Sequence, residues 1–195
     1  MPLLDREMNH INLWKDIKNR FFSKILPLMF WIDNHKENFF LIPNAISFTS
    51  VIKHNQNEVD FNSIKLLFLS KYYPHKNFEI LYELASLIKN KNLRITITTT
   101  IDREENEGGK FFLAEIDRLG LDGIVKNIGN VKLNEIAEIY SDHDGLFLPT
   151  LLESFSGTYI ESMYFAKPIF TSNMDFAVDV CKEVAFYFDP LDAEN

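Results

Sequence analysis

The stretch Leu148-Pro149-Thr150-Leu151-Leu152-Glu153-Ser154-Phe155-Ser156-Gly157-Thr158-Tyr159-Ile160-Glu161-Ser162-Met163 decides how this chain is read. It runs from an apolar strand through a polar turn into a helix that starts near Gly157. Glu153 stands in the turn, and Glu161 lies about one turn into the helix. Backbone N–H groups at a helix start have no partner within the helix and form a ready anion site. A carboxylate beside such a site accepts hydrogen bonds from sugar or ribose hydroxyls. By spacing alone a surface helix start with Glu161 in solvent is the better reading of the two glutamates, so the rest of the chain has to decide.

Working outward, strand and helix patterns alternate. Residues 64–69 are an apolar run followed by a loop over 70–77. Residues 78–88 predict a helix with Ile80, Leu81, Leu84, Leu87 and Ile88 on its buried face. Residues 93–99 are β-branched and strand-like. Residues 104–110 read as an exposed loop of charges and glycines, and 111–119 as a helix ended by Gly120. A strand over 125–128 precedes a helix over 133–140 with Asn134 as its cap. Then come a strand over 145–148, a helix over 157–165, a strand over 168–171, a short helix over 175–181 and a last strand over 185–188. Apolar strands alternating with helices imply an α/β fold, a Rossmann-like parallel sheet with helices on both faces. Ligands bind such sheets outside the carboxyl ends of the strands. The loops after Leu69, Ile128, Leu148 and Thr171 are therefore the ones to inspect.

Ahead of this lies a different pattern. Residues 11–28 predict a helix with Trp14, Ile17, Phe21, Ile25 and Leu28 on one face and Lys15, Lys18, Arg20 and Lys24 elsewhere. A basic amphipathic helix can lie on a membrane surface. Packing on a neighbouring domain is preferred here, because the basic residues are few and Asp16 interrupts them. Residues 39–42 form a short apolar strand closed by the turn signal Pro43-Asn44. The expected organisation is an N-terminal segment over 1–38 and one domain over 39–195.

With 195 residues, 46% of them apolar, the chain can bury a full core. Its net charge of -8 lacks the basic footprint of a nucleic-acid surface, so no nucleic-acid partner is expected. Cys181 is the single cysteine, which excludes an intramolecular disulfide and a multi-cysteine metal site. Its neighbours Val178, Val180 and Val184 suggest a buried, inert thiol. No apolar run approaches the length of a membrane span, and the N-terminus lacks a signal-peptide pattern. The expected location is the cytoplasm, with the inner membrane surface as a peripheral site.

Several rival motifs are weaker. Gly108-Gly109-Lys110 lacks the upstream glycine and following hydroxyl of a phosphate loop and reads as a flexible surface loop. Asp142-His143-Asp144 are adjacent residues on a helix-to-strand turn, which rarely converge on one metal ion, and Asp144 reads as closing the helix region. Ser154 and Ser156 lack the setting of a hydrolase nucleophile. His75 fits a phosphate contact or a solvated loop equally well.

Four blocks together match a family. Phe68-Leu-Ser-Lys71-Tyr-Tyr-Pro-His-Lys76-Asn resembles the strand and basic loop V-G-R-L-x-P-x-K-G of retaining family 4 glycosyltransferases. Leu148-Pro-Thr through Glu153-Ser-Phe-Ser-Gly to Glu161-Ser-Met and Pro168 is similar to that family's L-P-S, E-G-F-G and E-A-M blocks. Ile42-Pro-Asn44 resembles the I-P-N that opens the family's second domain, and Phe188-Asp-Pro190 the V-D-P near its end. The similarity covers about residues 39–195, in the same order and spacing.

The resemblance implies the C-terminal, donor-binding half of a two-domain GT-B enzyme. It implies that Lys71 and Lys76 contact the donor diphosphate and stabilise the leaving nucleotide by charge, without a metal. Glu153 would lie by the transferred sugar as the catalytic residue, nucleophile or electrostatic support. Ser154, Phe155, Ser156 and Gly157 would offer N–H groups to phosphate and sugar, and Glu161 would hold the ribose hydroxyls. Val131, Lys132 and Leu133 would flank the base. No cofactor is implied; the substrate would be a UDP-, GDP- or ADP-sugar and the acceptor a glycan or lipid-linked molecule. Two positions depart from the family pattern. Lys71 replaces the more usual arginine, a point charge for a bidentate fork. Ser156 replaces a glycine. The family's first domain has no counterpart here beyond residues 1–38, so a fragment of a larger enzyme is expected, completed by an N-terminal domain or a partner chain. Other readings are a non-catalytic nucleotide-sugar-binding module of a split enzyme and a different GT-B reaction such as epimerisation.

Overall fold

The computed structural model describes residues 63–194 except Phe155. All of them belong to the second of the two units into which the chain divides, Ala45–Asn195. The helix expected over 11–28, the strand over 39–42 and the boundary at residue 39 lie outside the described residues.

Six parallel strands form one sheet: β1 (Ile64–Phe68), β2 (Ile95–Thr99), β3 (Val125–Asn127), β4 (Gly145–Leu148), β5 (Ile169–Ser172) and β6 (Ala185–Phe188). The helices between them are α1 (Ile80–Asn90), α2 (Glu107–Arg118), α3 (Ile136–Ser141), α4 (Gly157–Tyr164) and α5 (Asp175–Cys181). The spatial order β3-β2-β1-β4-β5-β6 reverses direction between β1 and β4. At such a reversal the loops leaving two adjacent strands turn opposite ways and open a crevice. This places the loop after β1 beside the loop after β4.

Side chains alternate across the strands, and in-register neighbours point the same way. Leu66 pairs with Ile97, and Ile97 with Val125, so these face one side. Phe68 extends that side into an aromatic layer: it stacks on Phe78 at 4.0 Å, and Phe78 meets Phe112 of α2 edge-on at 5.5 Å. The opposite side carries Leu67, Leu146 and Ile169, which are in register, and here Tyr140 and Phe165 stack at 4.8 Å. Both faces are thus covered by helices, an α/β Rossmann-like arrangement.

Two local expectations are corrected. The glycine pair is not a surface loop: Gly108 and Gly109 lie in the first turn of α2, and Gly109 is buried. Asn106 caps this helix by accepting from the Gly109 N–H at 2.8 Å, and its own amide donates to the Tyr72 carbonyl at 3.2 Å. A β-carbon on Gly109 would sit 2.8 Å from Ile101 Cγ2, so only glycine lets the helix approach so closely. Asn134 is likewise no cap. The chain enters the 3-10 turn Leu133–Glu135 from Lys132, whose N–H donates to the Glu135 carboxylate at 2.8 Å.

Candidate functional site

Lys76 and Glu153, which are far apart in sequence, meet at the β1/β4 crevice. Lys76 ends the 3-10 turn Pro74–Lys76, and its ammonium pairs with the Glu153 carboxylate. The two side chains keep only 15% and 10% of their exposure, so this is a sheltered ion pair and solvent screens it little. The loops that carry them are tied together by backbone. Leu151 N–H donates to the His75 carbonyl at 2.7 Å, and the Thr150 hydroxyl donates to the same oxygen at 3.1 Å. Asn77 is buried in the left-handed region at φ 60 and donates its amide to the Pro149 and Pro190 carbonyls at 3.1 and 2.7 Å. Three strand-end segments are thereby fixed around one point.

Lys71 goes elsewhere. Its ammonium sits 2.5 Å from the Glu105 carboxylate in the segment after β2, where it is 56% exposed. That carboxylate raises the lysine's pKa through a hydrogen bond and its charge. The two lysines expected at one diphosphate are therefore each paired with a different glutamate.

The turn from β4 into α4 provides the rest. Ser156 is the N-cap of α4 and is buried, and its hydroxyl shares a hydrogen bond of 2.7 Å with Thr158 rather than capping the helix backbone. The Tyr159 N–H donates to the Ser156 carbonyl at 3.3 Å, which leaves the N–H groups of Gly157 and Thr158 without a protein acceptor among the described residues. Ser154 is exposed, and Phe155 lies outside the described residues. The helix start is held from below: Tyr159 is fully buried and its hydroxyl lies 2.8 Å from that of Thr171, which donates to the Leu148 carbonyl at 2.9 Å. This chain pins α4 to the ends of β4 and β5.

Glu161 is half-buried one turn into α4, and burial raises its pKa against a smaller opposing hydrogen bond from Tyr140. The Tyr140 hydroxyl lies 3.4 Å from Glu161 Oε2 and 3.1 Å from the Thr158 carbonyl. Sequence reasoning did not single out Tyr140. Its signal was only an aromatic at the end of a short helix, which reads as core. Among the predicted base-flanking residues, Lys132 is exposed and Leu133 is 87% exposed, an apolar side chain held in solvent, while Val131 is half-buried.

His75 stacks on Tyr73 at 5.6 Å, and burial, with Lys76 next to it, lowers its pKa. The Glu153 carboxylate opposes that shift. The Asp142-His143-Asp144 group is structural. His143 Nδ1 lies 2.7 Å from the Ile139 carbonyl, which can only accept, so the proton is on Nδ1 and Nε2 accepts from the Thr98 hydroxyl at 2.8 Å. Asp144 accepts the Lys65 N–H at 2.8 Å. Cys181 is buried at the end of α5, and burial pushes its thiol up to about 11.

Chemically, the crevice offers a cation and a carboxylate from opposite loops, the N–H groups of Gly157 and Thr158 at a helix start, and a second carboxylate one turn further along that helix. Among solved structures the chain is similar to a glycosyltransferase from Rickettsia africae, at 23% identity over 68% of this chain and 35% of that one, with a TM-score of 0.59. It is similar to Anabaena HepE in complex with UDP and glucose, at 20% identity over 68% of this chain and 36% of that one, with a TM-score of 0.57. The apo lipopolysaccharide outer core galactosyltransferase WaaB matches at 16% identity over 81% of this chain and 44% of that one, with a TM-score of 0.62. At these identities the likeness speaks to the fold, and the chain spans about a third of the length of the structures it first matches. No curated protein matches the chain significantly. The model of the family described as glycosyl transferases group 1 matches residues 51–195, and over that span, most of its length, the protein belongs to this family.

Proposed function

We propose that this chain is the donor-binding half of a retaining family 4 glycosyltransferase, moving a hexose from a nucleotide sugar to a glycan or lipid-linked acceptor. The observation that carries the reading is the meeting of Lys76 and Glu153 at the sheet's switch point, on the turn that leads into the start of α4. The donor diphosphate lies against Lys76 and the N–H groups of Ser156, Gly157 and Thr158, with Ser154 beside them. Lys71 approaches it from the rim. The ribose hydroxyls donate to Glu161, and Val131, Lys132 and Leu133 flank the base.

Transfer breaks the bond between the anomeric carbon and the diphosphate oxygen and forms a bond to the acceptor hydroxyl on the same face. The acceptor proton passes to the departing phosphate oxygen, whose charge Lys76 offsets. Glu153 stabilises the positive charge that develops on the sugar. The donor is a UDP-, GDP- or ADP-sugar, and no further cofactor enters the scheme. The acceptor site belongs to an N-terminal domain or a partner chain, and the enzyme works in the cytoplasm, at the inner membrane surface where the acceptor is lipid-linked.

Calorimetric titration with UDP, GDP, ADP and uridine tests the donor site. Lys76→Ala should weaken binding of the preferred nucleoside diphosphate about 10- to 100-fold, the loss of one charge-assisted hydrogen bond. Nucleoside binding should stay unchanged. An equal loss for nucleoside and diphosphate would reject the assignment of Lys76 to the diphosphate.

A further inference from the structure

The cation that the diphosphate needs is already paired within the protein. Lys76 pairs with Glu153, the residue placed next to the sugar, and both side chains are sheltered from water. The backbones that carry them cannot move apart cheaply. His75 accepts two hydrogen bonds from the Glu153 loop, and Asn77 donates two that bind the same loop and Pro190. A lysine side chain, by contrast, has four rotatable carbon–carbon bonds and swings without backbone change. Opening the pair therefore falls to the side chains.

We propose that donor binding is an ion-pair exchange: the diphosphate displaces the Glu153 carboxylate from Lys76, and the glutamate is released toward the sugar only by that displacement. The proposal rests on the assignment of Lys76 and Glu153 to the donor site. A sheltered carboxylate that loses its ammonium partner must find another donor, and sugar hydroxyls are the donors at hand. The exchange thus couples the arrival of phosphate to the freeing of the residue that acts on the sugar. Nucleosides and free sugars, which carry no phosphate, leave the pair closed.

The test is a binding cycle on the full chain with UDP and inorganic pyrophosphate as probes. Glu153→Gln removes the competitor for Lys76 and should tighten binding of both probes about five- to tenfold. Lys76→Gln should weaken them, and in that background Glu153→Gln should bring no gain, because no lysine is left to compete for. An undiminished gain in the Lys76→Gln background would mean simple repulsion between carboxylate and phosphate and would overturn the exchange. So would Glu153→Gln binding no tighter than the parent chain. If Lys76→Gln fails to fold, the parent chain answers alone. The carboxyl carbon resonance of Glu153, assigned by its loss in Glu153→Gln, should shift on adding pyrophosphate, and a resonance that stays put overturns the proposal. If diphosphate binding depends on Lys76 while Glu153→Gln changes nothing, the exchange fails and the donor site stands. If diphosphate binding ignores Lys76, the donor site itself fails.

Discussion

Glu161 shows how a single side chain gains a role from its surroundings. In the sequence it is one acidic residue among 28. In the fold, burial raises its pKa, and Tyr140 lies on one of its carboxylate oxygens while the other has no protein hydrogen bond among the described residues. An oxygen left open in a half-buried carboxylate suits a ligand hydroxyl. Tyr140→Phe keeps the stack on Phe165 and removes only the hydroxyl. The loss of one modest hydrogen bond should weaken nucleotide binding about three- to tenfold, as calorimetry would read. Binding of pyrophosphate, which has no ribose, should be unaffected.

At the scale of elements, the start of α2 shows packing overriding local preference. Gly108-Gly109 reads as loop because glycine is a poor helix former, and alanine there should favour the helix by about 0.8–1.0 kcal/mol. The helix nevertheless forms, because Asn106 caps it and its glycines sit against Tyr72 and fully buried Ile101. Gly109→Ala sets that propensity gain against an overpacking cost of about 1–3 kcal/mol. The net should be a destabilisation of about 1 kcal/mol in urea unfolding. Gly123, with nothing within 4 Å of its missing β-carbon, is the control, and Gly123→Ala should change stability by less than about 0.5 kcal/mol.

For the whole molecule, stability should fall on the acid side through a buried histidine. His143 bridges α3 and β2 through Ile139 and Thr98, and burial is the main cause that lowers its pKa, opposed by the hydrogen bond to the Ile139 carbonyl and by Asp142 and Asp144, with Lys65 adding to the lowering. The unfolded chain therefore binds a proton more readily than the folded one. The stability that the neutral ring contributes is present above about pH 6.5 and is lost as pH falls through that value toward the folded pKa. His75, lowered in the same direction, adds to the loss. Glu161, raised, works in the opposite sense at lower pH. Urea unfolding between pH 7.5 and pH 5 should show the decline, at most about 1.4 kcal/mol per pH unit for each proton taken up. His143→Gln should flatten it, and an unchanged slope would remove His143 from the account.

The order of strands and helices was legible in the chain because apolar periodicity and chain punctuation are local properties. Residues 64–69, 145–148 and 185–188 were each read as strands and are strands, offset by a residue at most. The candidate residues after β1 and β4 were also legible, since a parallel sheet confines its ligands to strand ends. Sequence did not determine which of those residues touch. That Lys76 pairs with Glu153 while Lys71 turns to Glu105 depends on strand order, which reverses between β1 and β4. Nor did it show Tyr140 beneath Glu161 or the glycines of α2 against Ile101. Local pattern reports which side chains are apolar and how the backbone turns; long-range contacts arise only when separate elements are packed together, and tertiary structure alone decides them.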